Sequence, residues 1–309
     1  MMFRDGAARN ALGAALAILC SACASLPGLS LRDSDHPLAG RIWDPAATTF
    51  VDELELLRRA AQAEVLLLGE THDNPEHHRL QRRILAARTN AGSPPTLLME
   101  QFDIDQQPAI DEALRNGGDL GPLMRGWEWP HYRSLVADAL HAGMRLRAAN
   151  VARSGLRPVV RDGFSAIAAG EIERLALHRT WDGEREKFMA EIIEASHCGK
   201  VSGPLREGLV RAQRLRDATL ADAALANLGH GVVFILGRGH ARRDVGVPHY
   251  LAARRPGTRV LSIGLVEVSA GNSLAARYEA ERVGPAPAFD LIWFTARAER
   301  PDPCIAFGK

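Results

Sequence analysis

The sequence is poor in several residue types, and each shortage excludes a class of protein. Three of the 38 basic residues are lysines, and aromatic residues make up 6% of the 309-residue chain. Acidic residues number 37, so the formal net charge is +1. A nucleic-acid-binding protein, which carries a clear basic surplus, is therefore excluded. Four cysteines are too few for a disulfide-dense scaffold, and a hydrophobic content of 46% excludes intrinsic disorder. The arginine bias is typical of a GC-rich genome; anion recognition by arginine forks is the alternative interpretation.

The first residues predict a bacterial secretion leader rather than part of the fold. Arg4 and Arg9 precede a twelve-residue apolar stretch at 11–22, which ends in small residues. This order is typical of a signal peptide, and the stretch is too short to span a bilayer. The sequence around Cys23 resembles a lipobox, since Ser21 and Ala22 precede it; Cys20 stands where leucine is usual, so plain secretion is the alternative. The prediction is a leader at 1–22, lipidated at Cys23 with palmitate among its acyl chains.

The lipidated chain is predicted to sit in the cell envelope. The residue after Cys23 is alanine rather than aspartate, which in similar lipoproteins favours the outer membrane of a Gram-negative bacterium. Residues 23–41, rich in Ser, Pro, Gly and Asp, are predicted to be a tether, and residues 42–309 a single domain. Cys198 and Cys304 are then the candidates for a disulfide in an oxidising compartment, and whether they pair is left open.

The alternation of apolar runs with helical patterns predicts an α/β fold. Strands separated by helices require crossover connections, so we expect a mainly parallel central sheet flanked by helices. The predicted strands lie at 65–68, 96–99, 144–149, 232–236, 259–266 and 291–295. Asn74 and Pro75 predict the start of a helix, because asparagine caps helices and proline suits their first position. The block around 155–229 is longer than a crossover needs and is predicted to be a helical insertion.

Polar side chains follow four of the predicted strands. Glu70 and His72 follow the first, Glu100 the second, Asn150 the third, and His240 the strand at 232–236. In an open α/β sheet, ligands bind beyond the carboxyl ends of the strands. These residues are therefore expected to share a pocket.

Three motifs in this order carry a family resemblance. They are L-G-E-T-H-D-N-P-x-H-H from Leu68, M-E-Q-F from Met99 and G-R-G-H from Gly237. Together they resemble the ChaN-like haem-binding lipoprotein family, which is related more distantly to the Tiki, TraB and erythromycin-esterase proteins. The resemblance implies an outer-membrane lipoprotein that binds haem in iron or haem acquisition, and it implies a homodimer with haem at the interface.

A tryptophan-rich segment provides candidate haem contacts. Haem needs an apolar surface, an axial ligand and cations for its propionates, and Tyr and His are both known iron ligands. The segment at 127–132 holds two of the five tryptophans beside a histidine and a tyrosine. Tyr132 is predicted to bind the haem iron, with the other candidate contacts at His131, Trp129, Arg125, Arg133 and His78. A packing corner at a helix start is the alternative interpretation.

A secreted hydrolase is the alternative function. Glu70, His72, Glu100 and His240 would act as general acids and bases, or hold a divalent metal as a peptidase or esterase does. Neither H-E-x-x-H nor G-x-S-x-G occurs in the sequence, so zinc-peptidase and serine-hydrolase motifs are missing. A scaffold protein with a vestigial pocket is the third alternative.

Overall fold

An eight-stranded sheet forms the centre of the fold. The computed structural model describes residues 30–90, 93–124, 126–179, 181–279 and 281–306. The strands are β1 (Leu31–Arg32), β2 (Ile42–Asp44), β3 (Thr49–Val51), β4 (Val65–Glu70), β5 (Thr96–Asp103), β6 (Arg145–Asn150), β7 (Val232–Gly237), β8 (Val260–Glu267), β9 (Leu291–Thr295) and β10 (Arg297–Ala298). The sheet order is β3-β2-β9-β8-β4-β7-β5-β6, while β1 pairs with β10 separately. The pairs from β9 to β6 are parallel, and those made by β2 are antiparallel. The predicted mainly parallel α/β fold is confirmed.

Helices cover both faces of the sheet. They are α1 (Glu53–Gln62), α2 (Pro75–Asn90), α3 (Gln107–Arg115), α4 (Trp129–His141), α5 (Arg153–Asp162), α6 (Ala169–Arg174), α7 (Gly183–Ser196), α8 (Gly203–Ala226), α9 (Arg238–Ala241), α10 (Val247–Arg254) and α11 (Pro303–Ala306). Helices α1 to α4 share one core with the sheet, and α5, α6, α8 and α10 share another on the opposite face. The predicted insertion is helical, as α5 to α8 demonstrate.

The alternation of side chains along each strand assigns residues to these two faces. Val65 and Leu67 of β4 pack with α8, whereas Leu66 and Leu68 pack with α2 and α4. Successive side chains of a strand point to opposite faces. Both faces are covered by helices, so the strand is apolar throughout, as expected for a buried parallel sheet.

The amino-terminal part of the chain joins the domain earlier than predicted. The leader and Cys23 lie outside the described residues. Within the predicted tether, β1 pairs with β10, Leu38 is buried in the core, and the Gly40 backbone N–H donates to the Phe294 carbonyl. Apolar Leu38 packs against the core because its burial removes hydrophobic surface from water. Of the helices in the described ranges, none combines the length and apolar character needed to cross a membrane.

Cys198 and Cys304 form a disulfide. Their Cα atoms lie 5.6 Å apart, and 106 positions separate them in the sequence. Cys198 lies in the turn after α7, and Cys304 lies in α11. The bond therefore ties the carboxyl-terminal segment to the helical insertion, and it settles a pairing that the sequence left open.

Candidate functional site

The polar residues that follow the strands meet at the carboxyl edge of the sheet, where they form two clusters. Glu70 ends β4, and Glu100 and Gln101 are neighbours within β5. Because consecutive strand residues face opposite sides, Gln101 joins Glu70 on the side of α2 and α4, and Glu100 joins His240 on the side of α8. The alternation along β5 thus places one carboxylate in each cluster.

Glu70 is the centre of the first cluster. Its Oε1 atom accepts hydrogen bonds from the Tyr132 hydroxyl at 2.6 Å and the Gln101 amide at 3.0 Å, and lies 2.9 Å from His72 Nδ1. Its Oε2 atom accepts a bond from the Gln81 amide at 2.7 Å. The carboxylate is buried, but every group around it donates a hydrogen bond. Such a setting stabilises its ionised form.

The pKa values in this cluster follow from these contacts. Burial would raise the pKa of Glu70, but the positive potential of His78 and the hydrogen bond from His72 outweigh it and hold the pKa below its usual value. Burial raises the pKa of Tyr132, and the negative charge of Glu70 raises it further. Tyr132 is therefore a neutral phenol that donates a hydrogen bond to Glu70 at neutral pH.

A histidine held between two carboxylates forms the second cluster. His240 Nε2 lies 3.2 Å from Glu100 Oε1, and His240 Nδ1 lies 2.6 Å from Asp217 Oδ1. The Gly237 backbone N–H donates to Glu100 Oε2 at 2.6 Å, and the Asn150 amide donates to the Glu100 carbonyl at 3.0 Å. All three ionisable side chains are buried.

Charge governs the ionisation of this second cluster. Burial would lower the pKa of His240, but Glu100 and Asp217 outweigh it and raise the pKa to about 10. Burial would raise the pKa of Glu100, but His240 brings it down to about 2. Burial raises the pKa of Asp217 to about 6 despite the neighbouring histidine. His240 is thus an imidazolium across the neutral pH range.

Asp217 is a site residue that sequence reasoning missed. It lies in the middle of α8, far from any of the three motifs. The available signal is its position on the buried stripe of that helix, which also holds Val210, Ala218 and Ala221. A carboxylate in such a stripe needs a partner, because an unpaired buried charge is costly. Nothing in the sequence names His240 as that partner.

Gly237 brings the two clusters into contact. A Cβ atom at this position would lie 2.9 Å from His72 Nε2 and 3.5 Å from Glu100 Oε2. The absent side chain lets His72 approach the second cluster. Gly69 has a similar role, since its Cβ would lie 2.6 Å from the Cβ of Ala241. These two glycines serve side-chain packing.

His77 and His78 are both buried. His77 Nδ1 accepts the Thr71 backbone N–H at 2.8 Å, and Nε2 lies 2.8 Å from Thr295 Oγ1. Burial lowers the pKa of His77 to about 3, so this ring is neutral and structural. His78 Nε2 donates to the His72 carbonyl at 2.9 Å. This bond holds in place residues 71–74, which we call the motif loop.

A cleft of about 640 Å³ opens beside the first cluster. Its lining consists of Thr71, His72, Asp73, Gly126, Trp127, Glu128, His131, Tyr132, Arg300 and Pro301. Trp127 packs edge-to-face on His72 with ring centroids 4.5 Å apart, and His131 stacks on His78 at 5.5 Å. The volume lies in the range of about 300–1,000 Å³ that is typical of ligand pockets.

Some predicted contacts lie away from this cleft. Trp129 packs against the turn at Gly121, where its ring would clash with a Cβ atom. Arg133 is largely exposed, with Asp119 3.6 Å from its guanidinium. Arg125 lies outside the described residues. Trp127 provides the aromatic wall that was expected from Trp129, since it precedes α4 while Trp129 is its first residue.

Arg300 lines the cleft, and Arg153 lies next to it. Arg300 donates to both oxygens of Asp73 at 2.7 Å and to Glu267 at 2.7 and 2.8 Å, which clamps the carboxyl-terminal segment over the motif loop. Arg153 is not among the lining residues, but it lies beside one of them, since its Nη2 atom would lie 3.1 Å from a Cβ at Gly126. Sequence reasoning missed both, because one follows β10 and the other begins a helix outside the motifs.

The described residues do not support a divalent-metal site. His72, His240 and a carboxylate were the expected ligands under the hydrolase hypothesis. Among the described side chains, no three His, Cys, Asp or Glu residues are arranged to hold a metal ion. His72 Nδ1 and both His240 nitrogens are instead engaged by carboxylates.

Comparisons with known proteins agree with the motifs and the fold. ChaN of Campylobacter jejuni, described with cofacial haem binding, superposes with a TM-score of 0.66 at 19% identity, over 82% of this chain and 95% of that one. A Bacillus cereus protein (TM-score 0.47, 12% identity, 87% and 98% coverage) and the erythromycin esterase EreC (TM-score 0.45, 13% identity, 80% and 95% coverage) are more distant. No curated protein matches the sequence significantly. The model of the family described as haem-binding uptake, Tiki superfamily, ChaN matches residues 56–251. This match spans more than half of the chain, and the protein therefore belongs to the ChaN family of the Tiki superfamily.

Proposed function

We propose that this protein binds haem in the cleft beside Glu70 and handles iron or haem at the bacterial cell envelope. The observation that carries the proposal is the cleft itself, where Trp127, His131 and Tyr132 line one cavity in a member of a haem-binding family. Haem needs an apolar surface, an axial iron ligand such as an imidazole nitrogen, and cations for its propionates. Arg300 lines this cavity, and Arg153 lies beside its lining residue Gly126.

The choice of iron ligand depends on which side chain is free to coordinate. Tyr132 was the predicted ligand, but its hydroxyl donates to Glu70 and its pKa is raised, so a phenolate would form against the charge of that carboxylate. His72 has its Nδ1 atom on Glu70, and its Nε2 atom lies against Gly237, where a Cβ atom would be 2.9 Å from it. His131 lines the cleft, and its Nε2 atom has the exposed Glu128 carboxylate 3.4 Å away. His131 is therefore the ligand we propose, with Tyr132 holding Glu70 and His72 in place.

Hemin titration tests this assignment. The full chain with Cys23→Ser, which prevents lipidation, should give a Soret band that saturates on adding hemin. His131→Ala should weaken hemin binding by more than about tenfold, because losing an iron ligand costs at least as much as losing its supporting hydrogen bonds. Tyr132→Phe should retain the band, with a smaller change in affinity.

Two outcomes would contradict the assignment. Loss of the Soret band in Tyr132→Phe but not in His131→Ala would identify Tyr132, and not His131, as the iron ligand. The absence of any Soret change at micromolar hemin in the unsubstituted protein would overturn haem binding altogether. Arg133→Gln is the matched control, since that side chain lies on α4 away from the cleft.

The envelope location is part of the same proposal. The apolar stretch at 11–22 and the lipobox-like sequence before Cys23 support lipid anchoring, and Ala24 supports the outer membrane. A homodimer is also proposed. A mature protein that fractionates with the membrane, and loses this property in Cys23→Ser, would meet the expectation.

Hydrolysis is the second candidate function, and the Glu70–His72 pair favours it. A carboxylate that holds Nδ1 of a histidine, beside an open cleft, is an arrangement used for general acid–base catalysis. His72 is 37% exposed at its side chain, whereas His240 is 10% exposed and doubly paired with carboxylates. If the site is catalytic, His72 is thus the acid–base group and Glu70 its positioning residue.

A panel of ester and peptide substrates tests this candidate. Glu70→Gln and His72→Ala should each lower any turnover by roughly 100-fold or more, the usual contribution of general acid–base catalysis. Glu128→Gln, at the exposed rim of the same cleft, is the matched control. Turnover that survives both substitutions would remove this pair from any mechanism.

A further inference from the structure

A second cavity, of about 510 Å³, lies between helices α5, α7 and α8 on the other face of the sheet. Arg153, Arg157 and Arg216 line it, above an aliphatic floor that includes Leu156 and Leu209. We call it the arginine groove. It is built by the helical insertion, and neither the motifs nor the haem cleft accounts for it.

The lining of the arginine groove carries positive charge and contains no carboxylate. No Asp or Glu is among its lining residues, and within the described chain neither Arg153 nor Arg157 forms an ion pair. These two follow one another at i and i+4 on α5, a spacing at which like charges repel. Arg216 donates to the neutral Asn150 amide oxygen at 3.0 Å. Three arginines therefore line one cavity that has no carboxylate in its lining, and the charge of one of them, Arg216, is partly offset by buried Asp217.

The remaining lining residues indicate the chemical nature of the uncharged part of the ligand. The floor is aliphatic, His197 and Gln213 are the other polar lining residues, and no Phe, Tyr or Trp lines the groove. A planar ring system could stack on the guanidinium groups, but it would find no large aromatic side chain on the floor. A flexible hydrocarbon chain gains from burial on an aliphatic surface and from the apolar stems of the arginines.

We propose that the arginine groove binds a long-chain acyl anion, with its carboxylate on the guanidinium forks and its chain on the aliphatic floor. Arg157 borders this groove and not the haem cleft, so the proposal does not depend on haem binding. Arginine suits a carboxylate because its fork can donate two parallel hydrogen bonds.

Calorimetric titration with laurate tests the proposal on the full chain carrying Cys23→Ser. Laurate should bind, and Arg157→Gln should weaken it roughly tenfold or more, as expected for a lost hydrogen bond to a charged group. Leu209→Gln should also weaken it, through the floor. Arg161→Gln is the matched control, one turn further along α5 with its guanidinium on Asp162, and should bind laurate as the unsubstituted protein does.

Two further probes separate the acyl anion from other occupants. Dodecanol shares the chain but lacks the carboxylate, and its binding should not respond to Arg157→Gln. Equal laurate affinity in Arg157→Gln and Arg161→Gln would overturn the proposal. Metal-free protoporphyrin, which cannot use an iron ligand, is the last probe. If it binds and Arg157→Gln weakens that binding, while laurate does not bind at all, the acyl assignment is overturned.

Discussion

Replacing His240 by alanine should lower the free energy of unfolding by roughly 3–5 kcal/mol, the usual cost of removing one partner from a buried ionic group. The imidazolium lies between Glu100 and Asp217, with contacts of 3.2 and 2.6 Å. All three groups are buried, so water does not solvate the carboxylates that the substitution leaves without a cation. The variant would hold two carboxylates in the interior without the cation that both of them contact. Urea denaturation of both proteins measures the difference.

The size of this loss should depend on pH in a definite direction. Without His240, burial raises the folded-state pKa of Glu100 and Asp217 above their values in the unfolded chain. An acid with a raised folded pKa leaves stability intact below its unfolded pKa, which is about 4, and destabilises the fold as the pH rises through the folded pKa. The loss should therefore be smaller at pH 5 than at pH 6. Above about pH 6.5 the unsubstituted protein itself loses stability, because the pKa of His240 is raised to about 10 in the folded protein, so the comparison is made below that pH.

Two further variants separate charge from packing. His230→Ala removes an exposed histidine near the start of β7 and should change stability little. Combining Asp217→Asn with His240→Ala removes one of the stranded carboxylates, so the double variant should be less pH-dependent than His240→Ala alone. An equal loss in His240→Ala at pH 5 and pH 6 would contradict the electrostatic account and point to a packing defect.

The sheet could be predicted from the sequence because its strands are short apolar runs that follow turns. Thr96–Asp103 and Val232–Gly237 each extend beyond the predicted strand, since the apolar run ends before the backbone pairing does. The cap at Asn74 was predictable for a local reason, and its Oδ1 atom accepts the Glu76 backbone N–H at 2.9 Å. The three-residue strand Ile42–Asp44 carries too few residues to give a pattern.

Contacts within the site could be predicted from the sequence only where the interacting residues lie close together in the chain. Glu70 and His72 lie two residues apart and contact each other, so a motif could place them together. Asp217 and Gln101 meet their partners through tertiary packing, which periodicity does not describe. The choice between Trp127 and Trp129 depended on where α4 begins, and helix boundaries are the least certain part of a sequence pattern.

Breaking the disulfide between Cys198 and Cys304 should lower the free energy of unfolding by an amount comparable to that expected for His240→Ala. In the chain-entropy model, a link across about 100 residues stabilises the fold by roughly 4–5 kcal/mol, because it restricts the unfolded chain. Cys198 and Cys304 are separated by 106 positions. Since domains of this kind are stable by about 5–15 kcal/mol, the double variant Cys198→Ser, Cys304→Ser should unfold at a much lower urea concentration. Denaturation curves with and without a phosphine reductant measure this.

Serine is the right replacement at position 198 because of the local backbone. Cys198 has a φ of +57°, in the left-handed region that costs energy for any residue with a side chain. Glycine would relieve that strain and so mask part of the stability that is lost with the disulfide. With serine, the backbone strain is the same in both proteins. Reductant should then lower the stability of the unsubstituted protein to that of the double serine variant and leave the variant unchanged. If the two proteins unfold alike without reductant, the sulfur atoms do not bond in the folded protein.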